Sequence, residues 1–519
     1  MSGDQQHPSG RTAQQPQPGR FRAAAISLGG SYVGSGITLV KGIVLVPLYL
    51  RALGIDIYGA FLASANVVGL LGVVDFGVSA VLQQRLAGEW GANDRERFAR
   101  STAAGLAAVA ALVSLLVIAA AVVAPYVPRL VRAPTDVHHA LSLAFILTAM
   151  GSAQNLAMTN VLSVASAWQR SEVGAAARLA GQIADLLAII VGLALGAGVV
   201  ALGLGAAVGG AVGLVIALVW TAVLWRRLGL KWASASYSEF AKLARATAPI
   251  MLSRLAMQVG SNVEVALISA FITPAVAGVY SITERVFRVG IGFINPIAGS
   301  TIAALSHFVG QHGARAGLAP TREIMALWSL GVAALVPAML ALNHDFTTVW
   351  VGTSNFGGFA LNLFLGSAAL LGAAEFLLCV LLTAAGELQR MAWISTLEIL
   401  ARLALMYPAL RVFGVWGIPA ASCVLSVCFL PLYRRGQILS SRKSDGDAPR
   451  FLGASGASVA VAFGLGVVEA AVLPSVSAWP AFIGKAALVG VVNLVVALAL
   501  NPLGRAVLAK RMGVGRIGP

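Results

Sequence analysis

VALGLGAAVGGAVGLVIALVWTAVLW, residues 200–225, holds no charged residue and no proline, and it ends on Arg226 and Arg227. A soluble helix keeps a polar face for water, and this run has none. At 1.5 Å per residue it would extend about 39 Å as a helix, enough to cross a hydrocarbon core of roughly 30 Å. Its natural solvent is therefore lipid. Gly205, Gly209 and Gly213 fall on one face of the run, where they let a neighbouring backbone come close.

Outward from that run the same pattern repeats almost end to end. Of 519 residues 58% are apolar and 11% charged, and the mean hydropathy is +0.85. No soluble domain carries that balance without exposing apolar surface. Apolar runs bounded by charge, Pro and Gly predict membrane helices at about 26–50, 58–82, 101–123, 140–164, 178–198 and 200–225. Six more are expected at about 248–272, 278–302, 326–344, 358–384, 392–412 and 414–433, and two at about 452–472 and 482–504. The expected fold is all-α and polytopic, with about fourteen transmembrane helices arranged as two six-helix lobes plus two extra C-terminal helices. The corresponding segments are a disordered cytosolic tail over 1–22, an N-terminal lobe over 23–225 and an amphipathic cytosolic linker over 226–247. A C-terminal lobe over 248–434, a cytosolic loop over 435–451, two extra helices over 452–504 and a basic tail over 505–519 complete the chain. The Gln/Pro/Gly-rich start lacks an apolar centre and does not read as a signal peptide.

The formal charge of +16 would suggest nucleic acid in a soluble protein. Sorted by loop, it describes topology instead. With a cytosolic N-terminus, the inner loops collect Arg85, Arg95, Arg97, Arg100, Arg226, Arg227, Lys242, Arg434, Arg435 and Arg450, whereas the outer loops hold little beyond Arg51, Arg129, Arg132 and Arg411. By the positive-inside rule both termini are cytosolic, and no nucleic acid partner is implied. Cys379, Cys423 and Cys428 lie in apolar runs without metal-ligand spacing, so they read as small buried core residues, with no disulfide, metal or cofactor expected. A weak internal repeat relates the two sixes: YGAFLAS opens one helix at Tyr58 and AGVYSIT another at Ala277. Parallel repeats with a substrate held between them are a transporter plan.

The stretch YLRALGIDIYGAFLASANVVGLLGVVDFGVSAVLQQRLA, with Leu53–Gly54, Tyr58–Gly59 and the Asp75, Phe76, Gly77 triplet, resembles the multidrug/oligosaccharidyl-lipid/polysaccharide (MOP) flippase superfamily. Within it the likeness is to the polysaccharide transporter branch that includes Wzx-type O-antigen flippases. The amphipathic Ser238–Arg245 lead-in and the Gly278–Ser281 opening match as well, so that the pattern spans about residues 21–434. The resemblance implies two six-helix bundles in a V and alternating access. It implies an undecaprenyl-diphosphate-linked glycan as substrate, and membrane lipids, a glycan polymerase and assembly proteins as partners. It places the protein in a bacterial inner membrane, working in cell-surface polysaccharide biosynthesis.

Ionisable groups deep in a bilayer cost several kcal/mol unless they meet a partner or water, which makes each a functional candidate. Lys41 and Arg288 each fall about 15 Å from a helix end, near mid-membrane. Arg285 shares a face with Arg288, and Glu284 is placed at i and i+4 to pair with Arg288. Arg254 sits near the start of the second lobe. Lys41, Arg254, Arg285 and Arg288 are the expected substrate-binding set, because guanidinium and ammonium groups replace the hydration that a diphosphate loses. Asp75, Asp185, Glu264, Glu284 and Glu375 are candidates for coupling or gating. Asp75 lies near a cytosolic helix end, while Asp185, Glu264 and Glu375 lack an obvious partner along the chain. Glu398 and Arg402 read as an internal salt bridge, and Glu469 with Lys485 as a mutual pair of the extra helices.

No phosphate-binding GxxxxGK[ST] run, HExxH or Gly-flanked nucleophilic serine is present, and an enzyme is not expected. A multidrug extrusion transporter would need an acidic, aromatic site in place of a cationic one. A membrane glycan polymerase or glycosyltransferase would need a large outer loop, and the expected outer loops are short. A peptidoglycan precursor (lipid II) flippase shares the fold and the cationic cavity, and stands as the alternative.

Overall fold

The computed structural model describes residues 18–71, 78–168, 170–234, 262–299, 318–384, 387–441 and 448–511. Among these the regular structure is helical. The first half contains α1 (Pro18–Leu71), α2 (Val78–Gly91), α3 (Arg95–Val123), the short α4 (Val127–Leu130), α5 (His138–Ala167), α6 (Ser171–Ala194) and α7 (Val200–Arg227). The second half contains α8 (Asn262–Phe271), α9 (Pro274–Gly299), α10 (Leu318–Val351), α11 (Gly358–Ala384), α12 (Leu388–Phe413) and α13 (Gly417–Ser441). After these come α14 (Ala448–Val472), α15 (Trp479–Leu500) and α16 (Pro502–Arg511). Where they are described, the apolar runs of the sequence fall on these helices; 72–77, 248–261 and 300–302 lie outside the described residues. Ten helical stretches among the described residues are long and apolar enough to cross a membrane, one of which holds both α12 and α13. The protein is an all-α, multi-pass membrane protein.

Several boundaries differ from the sequence reading, and local chemistry explains them. The expected loop between the first two membrane helices shrinks to Gly54 alone, at φ 76° and ψ 167°, a conformation that costs glycine little and other residues much. The two arms of α1 thus meet without a loop. The first is helical from the first described residue, Pro18, inside the expected tail. Helix α13 continues to Ser441 and α14 starts at Ala448, so most of the expected 435–451 loop is helical, as is the tail as far as Arg511. Cys428 is exposed and Cys379 and Cys423 only partly covered, which corrects the expectation of three buried thiols. In lipid an outward-facing position is itself apolar and accepts a thiol.

Helix packing falls into two sets. In the first half, α5 and α6 lie against α7, α3 lies on α5, and α2 packs on both α3 and α5. In the second, α9 packs on α10 and α11, and α13 on α11 and α12. Helices α14, α15 and α16 all ride on α10, where Gly466 lets α14 approach Pro337 so closely that a Cβ would lie 2.5 Å from the proline Cα.

The main join between the sets is α1 against α9. A Cβ on Gly59 would run into the Pro274 carbonyl, 2.7 Å from its carbon, and lie 3.0 Å from the Gly278 nitrogen. The two segments read as a repeat, Tyr58–Gly59 and Gly278–Tyr280, therefore face each other across the seam. Nearby, the Ser269 hydroxyl donates to the Val131 carbonyl at 2.6 Å. One apolar cluster crosses here, joining Ala63, Val67 and Phe145 to Val265, Tyr280 and Leu361. Toward the opposite helix ends, the described residues form separate clusters: Leu86, Phe98 and Trp225 in the first half, Leu378, Leu382 and Tyr433 in the second. Among the described residues, contact between halves is concentrated at the end that the charge pattern places outside and extends along α1 to Gly42 against Arg285 and Gly69 against Asn262.

Candidate functional site

Three groups of ionisable side chains among the described residues involve the expected site residues. The first sits where α1 meets α6 and α9. Lys41 Nζ forms an ion pair with Asp185 Oδ2, although the two lie 144 residues apart. Glycines make this possible: a Cβ on Gly205 would lie 2.5 Å from Asp185 Oδ1, and one on Gly209 2.6 Å from Asp185 Cβ. The glycine face of residues 200–225 is therefore the wall behind the acid that neutralises Lys41. Next along α1, Gly42 leaves space for Arg285 of α9, whose Nη2 would be 2.7 Å from an added Cβ. Arg285 Nη1 approaches the Tyr58 hydroxyl at 3.5 Å, and the Tyr58 ring packs 5.6 Å from that of Tyr49. Among the described residues no carboxylate comes within ion-pair distance of Arg285. Among the described residues this group carries one acid and two cations, and so an uncompensated positive charge at the seam between halves.

The second group belongs to α8 and α9. Both Glu284 oxygens accept from Arg288 Nη2, at 2.6 and 2.7 Å, as the i and i+4 spacing predicts. Arg288 remains 62% exposed. One turn away, the Tyr280 hydroxyl donates to Glu264 at 2.5 Å. The third group lies within α11, α12 and α13. Arg402 holds Glu398 at 2.7 Å and faces Glu375 at 3.6 Å, while Tyr433 donates to Glu398 at 2.9 Å. Here two buried carboxylates share one guanidinium, the reverse of the charge balance beside Lys41.

Of the expected binding set, Lys41 and Arg285 are brought together, and Arg288 is turned toward Glu284. Arg254 and Asp75 lie outside the described residues. Asp185, Glu264 and Glu375, partnerless along the sequence, meet Lys41, Tyr280 and Arg402 respectively. The expected Glu469–Lys485 pair is not formed. Lys485 instead reaches Asp345 of α10 at 2.5 Å and Glu469 accepts from Asn493 at 2.7 Å, because α15 packs more closely on α10 than on α14. Sequence reasoning missed Gly42 and Tyr58 as neighbours of Arg285. A glycine beside a membrane lysine was the one available sign of a close approach there.

Residues 28–308 match the family model described as polysaccharide biosynthesis protein. No curated protein sequence matches the chain. Among solved structures, the lipid II flippase MurJ in an inward closed conformation superposes with a TM-score of 0.68 at 10% identity, covering 94% of this chain and 99% of that one. An inward-facing multidrug resistance MATE family transporter of the MOP superfamily gives 0.64 at 14% identity, over 79% of this chain and 96% of that one. The Vibrio cholerae MATE transporter VcmN, as a point variant, gives 0.56 at 14% identity over 83% and 99%. At these identities the likeness is one of fold.

Proposed function

The chain belongs to the family of polysaccharide biosynthesis proteins, and from that premise we propose that it is a flippase for an undecaprenyl-diphosphate-linked oligosaccharide. It carries this lipid from the cytosolic to the periplasmic leaflet of a bacterial inner membrane by alternating access, with both termini cytosolic, for assembly of a cell-surface polysaccharide such as O-antigen. Glycan polymerase and assembly proteins are its partners in that assembly.

The observation that carries the proposal is the charge beside Gly42. Arg285 lacks a carboxylate partner among the described residues, sits next to Lys41 and spans the join between the two halves. A diphosphate supplies the missing anion in the form that a guanidinium fork accepts best. Lys41 is neutralised by Asp185 in the absence of ligand, which lowers the cost of holding an ammonium inside the membrane. When diphosphate arrives, it competes with Asp185 for Lys41. Arg288, exposed and tethered by Glu284, is suited to the rim of the same cavity, and Arg254 is proposed for its cytosolic approach. Glu264 and Glu375 remain the candidates for ion coupling, with Asp75 for gating. The two helix sets act as the lobes, and the concentration of contact at the outer end among the described residues supports a cavity that opens inward.

The test is export in a flippase-deficient strain. Lys41→Ala and Arg285→Ala should abolish surface polysaccharide while leaving protein level in the membrane fraction unchanged, and Arg285→Lys should be impaired but milder. Normal export by both alanine variants would overturn the cationic site. A peptidoglycan precursor flippase is the second reading. The MurJ match covers 94% of the chain, more than the residues before Ala448 could supply, so it takes in the C-terminal helices. Rescue of a strain lacking its lipid II flippase, without rescue of polysaccharide export, would favour it.

A further inference from the structure

Helix α1 contains Pro47, which has no amide hydrogen. In an α-helix the carbonyl of Ile43 would accept from the amide of residue 47, so Pro47 leaves the Ile43 oxygen without its helical donor. The donor comes instead from the other half of the molecule: Trp350 Nε1, near the C-terminal end of α10, donates to Ile43 O at 2.6 Å. The indole is only 7% exposed and packs among Leu45, Val46 and Ile282. Its ring stacks on Phe346, with centroids 5.1 Å apart, and Phe346 in turn meets Phe482 of α15 at 5.9 Å. The accepted bond lies two residues from Lys41 and one from Gly42.

We propose that Trp350 is a positioning residue that latches the two halves together at the proline break of α1. An orphaned carbonyl inside a membrane is costly, so the Ile43 oxygen holds the indole as long as nothing else can satisfy it. While the bond is made, the Lys41–Gly42 segment is held against α9 and the seam beside it stays closed. When the bond breaks, α1 is free to move at Pro47 and the seam can open. The bond links the C-terminal helices to the cationic group through one chain of contacts, from Phe482 through Phe346 and Trp350 to Ile43. The latch rests on the flippase reading only for its meaning in transport.

The pairing of a missing donor with a supplied one gives a test that packing alone would not pass. Ser269→Cys serves as reporter, because Ser269 is fully buried at the seam. It is placed in the full-length protein with Cys379→Ala, Cys423→Ala and Cys428→Ala, and labelled in membranes by an impermeant maleimide from either side. Trp350→Phe keeps the ring and removes the N–H. It should raise the labelling rate about three- to tenfold, the shift in a two-state equilibrium expected from losing one buried hydrogen bond. Pro47→Ala returns the helical donor to Ile43, so adding Trp350→Phe in that background should change labelling by less than about twofold. Unchanged labelling in Trp350→Phe, or the same increase in both backgrounds, overturns the latch. If Trp350→Phe fails to accumulate, accumulation restored by Pro47→Ala supports the latch and failure in both backgrounds overturns it. Labelling needs no substrate, so failure of the unaltered protein to restore export in a flippase-deficient strain would remove the flippase reading without touching this result.

Discussion

Gly59→Ala introduces a single methyl group at the closest approach of the two halves. Built on the backbone, its Cβ lies 2.7 Å from the Pro274 carbonyl carbon and 3.0 Å from the Gly278 nitrogen. Carbon atoms in good contact sit about 3.5–4.0 Å apart, and the Pro274 carbonyl oxygen lies closer to the added methyl than its carbon does, so α1 and α9 must part by roughly 1.5 Å. Both obstacles are backbone and cannot swing aside. Overpacking of this kind costs about 1–3 kcal/mol, and here the cost falls on the closed seam alone, because the added methyl meets nothing once the halves separate. The closed state should lose about 5- to 150-fold in population relative to the opened one. The assay is maleimide labelling of Ser269→Cys, with thermal unfolding of the detergent-purified protein as a check on global stability. Gly278→Ala is the matched comparison. Its Cβ first meets the Ile55 Cδ1 at 2.8 Å, the end of a side chain that can rotate, with the Ile55 carbonyl oxygen at 3.3 Å. It should open the seam less than Gly59→Ala. Equal labelling of the two variants, or wild-type labelling of Gly59→Ala, would refute the backbone-contact reasoning.

Asp185→Asn removes the internal anion that occupies Lys41, so the purified protein should bind a diphosphate lipid more tightly and export more slowly; unchanged binding would remove Asp185 as a competitor. Arg402→Ala strands Glu375 and Glu398 in a low-dielectric site and should cost about 3–5 kcal/mol of stability, read as a fall in the thermal midpoint that Glu398→Gln partly restores. Lys485→Ala leaves Asp345, which is 2% exposed, without its cation and should destabilise the docking of α14 and α15 by a similar amount. Proteolysis between α13 and α14 would show that loss, and Lys485→Ala with Asp345→Asn should be cut more slowly than Lys485→Ala alone.

The membrane class, the helical fold and most helix positions were legible in the sequence, because a bilayer imposes one dominant requirement: long apolar runs with internally satisfied backbones. Local pairs were legible for the same kind of reason. Glu284 with Arg288 and Glu398 with Arg402 are four residues apart, and helical geometry alone brings them together. Gly54 was visible as part of a familiar pattern, but that a single residue could replace a loop depended on the φ it adopts.

Contacts between distant helices were decided only by tertiary structure. Apolar periodicity is uninformative where a helix is apolar on every side, since lipid and protein are equally acceptable neighbours. The sequence therefore could not say that Lys485 would choose Asp345 over Glu469, or that Cys428 would face outward. It could count an excess of positive charge near Lys41 and Arg285, but not the acid 144 residues away that cancels half of it. Pro47 frees a carbonyl in α1, and the indole that satisfies it lies 307 residues from Ile43. Composition fixes the cost of placing such groups in a membrane, and packing alone determines which partner meets it.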